Sequence, residues 1–299
     1  MQLHTNHLEY ILSHSPDYIK TAAHALPPLP TTTHTRAAQP NGNLFTAITW
    51  NVNGIFDKLQ DIADLVNNTQ PDVLLLQETH TRQEQHHHAG LKHILREYTM
   101  MLSSAPVSDP LQKHHTTASG MRISTRARAG MMIAIKHQFT HSGMLHQHNT
   151  KQLHGFLIHV SLTLPASPPL HIINVYMAVT TTDHNTRAAC YQYLADTMET
   201  QPHAQIMIAG DWNAVTLPTD RSSGKLNRLD HHHAQFVNQH NLSSAMPQGP
   251  MRQHSFHRAH ISSRIDDMYI RNMPSVQQYL HTNQQPQILR HSSLSQNRP

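Results

Sequence analysis

Ile206-Met207-Ile208-Ala209-Gly210-Asp211-Trp212-Asn213 sets a short apolar run directly ahead of a Gly-Asp-x-Asn group. An apolar run of that length, ended by glycine, reads as a buried strand. Strand side chains alternate between faces, so a carboxylate and a carboxamide two positions apart point the same way. Open sheets in layered folds bind ligands at the C-terminal ends of their strands, which makes this a candidate polar site. Glycine, aspartate and asparagine also supply turn geometry, and such a stretch taken alone is more often just a turn.

Outward from it the pattern repeats. Leu44 to Trp50, Val73 to Leu76, Met131 to Ile135, Gly155 to Leu164, Leu170 to Tyr176, Gln205 to Ala209 and Asp267 to Arg271 read as strands. Pro165 to Pro169 reads as a hairpin loop. Ile55, Leu59, Ile62, Leu65 and Val66 recur at helical spacing until Pro71. Leu91, Ile94, Leu95 and Tyr98 form a second helical face. A third carries Ala188, Tyr191, Leu194 and Met198, begun by Asp183 and ended by Pro202; Asp230 reads as the cap of another helix through Phe236 and Val237. Residues 1–43, rich in Pro and Thr, read as a flexible arm with at most a short helix over 8–12, and Ser103 to Arg128 reads as a polar surface loop. Strands and hairpins mixed with helices predict two packed sheets flanked by helices.

Composition narrows the chemistry. In 299 residues there are 22 Lys and Arg against 18 Asp and Glu, a formal charge of +4 that suits a polyanionic partner. The single cysteine, Cys190, excludes a disulfide framework and a cysteine-based zinc cluster. The 30 histidines, in tracts such as His86 to His88 and His231 to His233, read as a compositional habit rather than a designed site. No run approaches the ~18 apolar residues of a membrane span, so no membrane partner is expected.

Four other strand ends carry polar residues like those after Ala209. Asn51 and Asn53 follow the first strand with Gly54, Gln77 and Glu78 the second; Asn174 and Tyr176 end a third, and Asp266 precedes the last. Asn51 and Asn53 suit a helix N-cap as well as a site, and Glu78 a solvated loop. Convergent carboxylates and carboxamides are what a hard divalent cation such as Mg²⁺ accepts, with waters retained for a phosphate-bearing substrate.

The segments Ile48-Thr49-Trp50-Asn51-Val52-Asn53-Gly54, Pro71 to Thr79, Ile173-Asn174-Val175-Tyr176, Gly210-Asp211-Trp212-Asn213 with Asp220-Arg221, and Ser263-Arg264-Ile265-Asp266 resemble, in order, the motifs of the endonuclease/exonuclease/phosphatase superfamily. The form is similar to the apurinic-endonuclease-like domain of LINE-type non-LTR retrotransposons, over about Leu44 to Pro299. The resemblance implies a DNase I-like, four-layered α/β sandwich of two mixed sheets over residues 44–299. It implies Mg²⁺-dependent hydrolysis of a DNA phosphodiester, with Mn²⁺ as a substitute. Glu78 would be the main metal ligand, with Asn51, Asn53 and Asp266 assisting. Asp211 would orient or deprotonate the attacking water, Asn213 would hold a phosphate oxygen and Tyr176 would face the scissile phosphate. Ser255, in His254-Ser255-Phe256, would touch a displaced nucleotide, and Arg122, Arg126 and Arg128 are candidate phosphate contacts.

The sequence departs from the family at its last motif, Ser-Asp-His followed after one residue by Pro. Leu294-Ser295-Gln296-Asn297-Arg298-Pro299 puts Gln296 in place of the aspartate and Asn297 in place of the histidine. An amide donates a hydrogen bond but transfers no proton near neutral pH, and losing such a group typically lowers rate by ~10²- to 10⁴-fold. An impaired enzyme follows, or a DNA-binding relic without turnover; His291 is the alternative source of the missing imidazole. Val179 stands where many relatives place an Asn, and the family's final strand is absent from the sequence. The resemblance further implies a monomer that works in the nucleus, with DNA as partner and a reverse transcriptase downstream in the same polyprotein. A superfamily phosphatase acting on inositol lipids or nucleotides is the less favoured reading.

Overall fold

In the computed structural model, residues 45–81, 88–104, 115–116, 122–123, 129–142, 144–163, 168–177, 184–245, 256–258, 261–263, 265–273, 276–279 and 287–291 are described. All belong to the compact unit Asn41–Pro299. The expected arm over 1–43 lies outside the described residues.

The alternation read in the first strand sorts its side chains onto two faces. β1 (Phe45–Asn51) buries Ala47 in one apolar cluster and Ile48 in another. β1 pairs in parallel with β2 (Val73–Gln77), in register Asn51 to Gln77. β6 (Met131–Lys136) and β3 (Tyr98–Ser103) extend the sheet on one side; β16 (Gln287–His291) and β15 (Val276–Tyr279) extend it on the other. The second six-stranded sheet runs β11 (Ser243–Ser244), β14 (Asp266–Arg271), β10 (Gln205–Asp211), β9 (Leu170–Tyr176), β8 (Leu157–Thr163) and β7 (Met144–Gln147). β9 and β10 are parallel there and the remaining pairs antiparallel, so both sheets are mixed. β8 and β9 form the expected hairpin.

Three apolar clusters define four layers. Ala47, Val73, Leu75 and Ile133 of the first sheet meet Val160, Ile172, Met207, Ala209 and Met268 of the second between the sheets. The outer face of the first sheet, with Ile48, Leu74 and Leu76, packs on Ile62 and Val66 of α1 (Leu59–Thr69) and Leu91 of α2 (Ala89–Ile94). The outer face of the second, with Ile173, Ile206 and Ile208, packs on Tyr191, Leu194 and Met198 of α4 (His184–Thr200) and on Phe236 and Val237 of α5 (Arg228–Gln239). A fifth, short helix, α3 (His137–Ser142), follows β6. Each fully buried aliphatic side chain contributes about 1.5–3 kcal/mol. That contribution explains why the strands follow the apolar runs so closely.

Several elements differ from expectation. Tyr98 is not the last turn of a helix: α2 ends at Ile94, and Tyr98 opens β3, where its hydroxyl donates to Pro71 O at 2.7 Å. Asp230 is the third residue of α5 rather than its cap. Asn227 caps the helix, and its side chain accepts from the Leu229 and Asp230 backbone while Asp230 accepts from the Asn227 N–H, a reciprocal capping box. The segment taken as loop over 103–128 holds a small hairpin, β4 (His115–Thr116) with β5 (Arg122–Ile123). β12 (Phe256–Arg258) and β13 (Ile261–Ser263), also unforeseen, pair with each other.

Candidate functional site

Along each central strand, every second residue continues the inter-sheet core toward one end of the sandwich. Ala47 and Thr49 lead to Asn51 on β1, Ile172 and Asn174 to Tyr176 on β9, and Met207 and Ala209 to Asp211 on β10; Met268 leads back to Asp266 on antiparallel β14. Asp211 is in register with Tyr176 on one side and Asp266 on the other. The alternation that buries the core therefore delivers a ring of polar groups where the apolar residues stop.

One side chain ties this ring together. The Asn51 amide donates from Nδ2 to Glu78 Oε1 at 2.8 Å and to Asp211 Oδ2 at 2.9 Å, the second bond reaching 160 residues along the chain and from one sheet to the other. Its Oδ1 accepts the Asn53 N–H at 3.1 Å, so Asn51 is not the cap of the following 3₁₀ turn (Ile55–Lys58), which begins after Gly54 without a side-chain cap. Asn53 is exposed in a left-handed conformation (φ 46°) at the rim. Asn213 also departs from the strand picture. β10 ends at Asp211, and Asn213 turns back with φ 47°, its N–H donating to Asp211 Oδ1 at 2.9 Å and its amide to Met177 O at 2.8 Å. Gly210 is required by close approach: its φ is 146°, and a Cβ there would lie 1.9 Å from Val175 O.

The carboxylates are driven in opposite directions. Burial works to raise Glu78, but hydrogen bonds from His80 and Asn51, the charge of His80 and the Tyr176 hydroxyl outweigh it and hold the acid below its usual range. Asp211, 3% exposed, is pushed well above its usual range by burial and then by the charge of Asp266, with Glu78 adding to it. Bonds from Asn213 and Asn51 oppose that rise without cancelling it. The carboxylates of Glu78, Asp211 and Asp266 gather around the Asn51 Nδ2 amide, and their mutual repulsion is what a hard divalent cation relieves.

Sequence reasoning missed the supports of this ring. Gln77 and Asn174 are fully buried: Gln77 Nε2 donates to Asn174 Oδ1 at 2.6 Å, and the Asn174 amide donates to Leu76 O and Met132 O at 2.9 Å. These bonds clamp one sheet to the other just beneath the site. His80 is set by its own left-handed backbone (φ 53°) with Nε2 3.3 Å from Glu78 Oε2; the sequence signal was its place two residues after the acid. Arg221 grips buried Asp230 through two bonds, 2.6 and 2.7 Å, while Asp230 Oδ1 accepts the Val215 N–H, which anchors the loop leaving Asn213. The Arg187 guanidinium donates to Trp212 O at 2.9 Å behind it, and Trp212 faces the outer cluster beside His233 and Tyr269.

Gln296, Asn297, Val179, Ser255, Arg126 and Arg128 lie outside the described residues. Arg122 is placed only by the backbone of β5. His291 pairs with Phe45, at the end of β1 remote from Asn51 and, at 3.2–3.4 Å per residue, about 20 Å along the strand. That placement removes it as a substitute for the histidine of the last motif.

Comparison with known proteins gives the following. A profile of the Endonuclease/Exonuclease/phosphatase family matches residues 48–284. Among curated protein sequences none matches. Solved structures share the fold at low identity. They include the endonuclease domain of TRAS1, a telomere-specific non-LTR retrotransposon, at 12% identity and TM-score 0.56, covering 83% of this chain and 98% of that one. The AP endonuclease LMAP from Leishmania major is 16% identical with TM-score 0.61, covering 89% and 92%. The 3'-5' exonuclease NExo from Neisseria meningitidis is 15% identical with TM-score 0.57, covering 83% and 99%.

Proposed function

The chain belongs to the endonuclease/exonuclease/phosphatase family, and we propose that it is the DNA-nicking domain of a LINE-type retroelement, impaired by the loss of its last motif. The observation that carries the reading is the Asn51 amide held between Glu78 and Asp211, with Asp266 in register beside them. Mg²⁺ held by Glu78, Asp266 and Asn51 would supply charge neutralisation at the phosphate and the departing oxygen. Asp211 accepts the proton of the attacking water; burial and the Asp266 charge hold it above the usual carboxylate range, which suits a base that must exchange a proton near neutrality. The Tyr176 hydroxyl and the remaining Asn213 amide hydrogen are neutral donors, which stabilise an anionic transition state without bringing further negative charge.

In family members that retain Asp-His in the last motif, the imidazole faces the scissile phosphate; Gln296 and Asn297 in this chain offer no transferable proton. The partner is DNA, the product a nicked strand with a free 3′-hydroxyl for a reverse transcriptase encoded downstream, and the place of action the nucleus. The Asn51-Val52-Asn53-Gly54 form supports the LINE assignment over a phosphatase.

The test is nicking of supercoiled plasmid in Mg²⁺ or Mn²⁺. Slow nicking is expected, abolished in Glu78→Ala and raised at least ~10²-fold in the double variant Gln296→Asp with Asn297→His. Vigorous nicking by the unmodified chain would refute the impairment. DNA binding without nicking in any variant would refute the enzyme and leave a binding relic.

A further inference from the structure

On the side of the second sheet turned away from the cleft, three histidines meet. His159 on β8 is opposite Ile173, and His171 on β9 is opposite Ser161. Both rings therefore emerge on the face that Ile173 packs beneath α4. His148, just past β7, donates its backbone N–H to His159 O at 2.9 Å, which brings a third ring alongside. One nitrogen from each of the three lies within 4.8 Å of the others. His159 and His171 are 2% and 4% exposed, and His148 is half-buried. A compositional excess of histidine accounts for rings on the surface. It does not account for His159 and His171 set into a buried sheet face, where each ring gives up water for hydrogen bonds to its neighbours and an aliphatic side chain would pack without that cost.

We propose that His148, His159 and His171 form a binding site for a borderline divalent transition metal, Zn²⁺ foremost, separate from the oxygen-lined cleft. Imidazole nitrogen selects zinc-like ions over Mg²⁺. Zn–N bonds of ~2.0–2.1 Å in a tetrahedron hold the nitrogens roughly 3.3 Å apart, so nitrogens that now lie within 4.8 Å of one another draw together on an ion. His159 already carries the outer partner such a ligand requires: its Nδ1 is 2.8 Å from the Tyr193 hydroxyl, leaving Nε2, 2.8 Å from His171 Nδ1, to face the ion. Burial pushes His148 down to about 4 and lowers His171, so protons do not compete for the ligands near neutral pH. His148 stacks on His159 at 3.8 Å and 10° with its Nε2 2.9 Å from Ser161 Oγ, and must leave that hydroxyl and turn about its side-chain torsions to aim a nitrogen at the ion. Its half-exposed position beyond the strand end allows that turn. Water fills the fourth position, or His146, whose ring stands edge-on to His148 at 4.6 Å. The bound ion would fasten the edge strand β7 to β8 and β9.

The full chain, stripped with a chelator, is titrated with Co²⁺ as the spectroscopic probe and then with Zn²⁺. One equivalent with the visible absorption of tetrahedral nitrogen ligation is expected, displaced by Zn²⁺ and unchanged in Glu78→Ala. His148→Ala should remove the absorption, and Tyr193→Phe should weaken binding by ~10- to 100-fold with the circular dichroism spectrum intact. Absence of the absorption in the unmodified chain, or its survival in folded His148→Ala, overturns the site. If His148→Ala does not fold, X-ray absorption of the chain loaded with one equivalent of Zn²⁺ decides: fewer than three imidazole ligands overturns it.

Discussion

Replacing Asn51 tests the site at its narrowest point. The side chain donates to Glu78 and Asp211 at 2.8 and 2.9 Å and accepts from Asn53 at 3.1 Å. In Asn51→Ala, Asp211 keeps the Asn213 N–H and Glu78 keeps His80 and Tyr176. Each hydrogen bond to a charged group contributes ~1.5–3 kcal/mol, and the retained partners soften the loss, so the expected destabilisation is about 2–4 kcal/mol without metal. Asn51→Asp is the sharper variant. It sets a further carboxylate against Glu78, and at ~4 Å such a pair repels by ~4 kcal/mol under a surface-like dielectric. Above the usual carboxylate range this variant should be less stable than Asn51→Ala. As pH falls toward 4 its carboxyl protonates, regains a donor, and the order should reverse. Guanidinium unfolding in EDTA at pH 8, 6 and 4.5 measures this, with a Mg²⁺ arm in which Asn51→Asp should be rescued more than Asn51→Ala, because an ion that binds only the folded state stabilises it. Asn51→Ala within 0.5 kcal/mol of the unmodified chain (about a third of the smallest single bond expected), or two variants that never exchange order with pH, would refute the bridging role.

Three further outcomes follow from the same geometry. Asp211→Asn should stabilise the metal-free chain at neutral pH while ending cleavage. The acid's raised folded-state value means its contribution is present below the unfolded value and lost as pH rises through the folded one, so the stability gain should vanish near pH 3; a destabilised Asp211→Asn at pH 8 would contradict the repulsion. Gly210→Ala should cost roughly 2–5 kcal/mol, from strain at φ 146° and a Cβ 1.9 Å from Val175 O, seen as a lower urea midpoint with an unchanged m-value. Half-buried His148 and buried His159 and His233 are pushed down to about 4, 2 and 3, so the unfolded chain binds more protons as pH falls from about 6.5 toward 4; metal-free stability should drop there by up to ~4 kcal/mol per pH unit, and a flat profile would show that these rings titrate normally.

How much of this was legible beforehand differs by residue. The runs before Glu78 and Asp211 announced their strands because four consecutive apolar residues buried on two faces leave few alternatives. Tyr98 misled because its spacing continued a helical stripe, yet a strand let it bury its ring and reach Pro71 O. Asn213 lay at strand spacing from Asp211, but the chain had already turned; one residue in the left-handed region overrides alternation. Gln77 and Asn174 looked like further site residues and proved to be the clamp between the sheets. Both are fully buried, and the Asn174 amide can satisfy the Leu76 and Met132 carbonyls, and its oxygen accept from Gln77, only because the other sheet lies within reach.

The sequence by itself determined which residues would stand at strand ends, since a period of two and an apolar run set both face and terminus locally. It also settled that Gln296 and Asn297 carry no transferable proton, a matter of side-chain chemistry alone. Only the tertiary structure decided that Asn51 joins Glu78 to Asp211, and that His148, His159 and His171 draw together out of 30 histidines. Those meetings depend on the register between strands and on how one sheet is laid over the other. Both are set by packing across the whole core and leave no mark in any short stretch of chain.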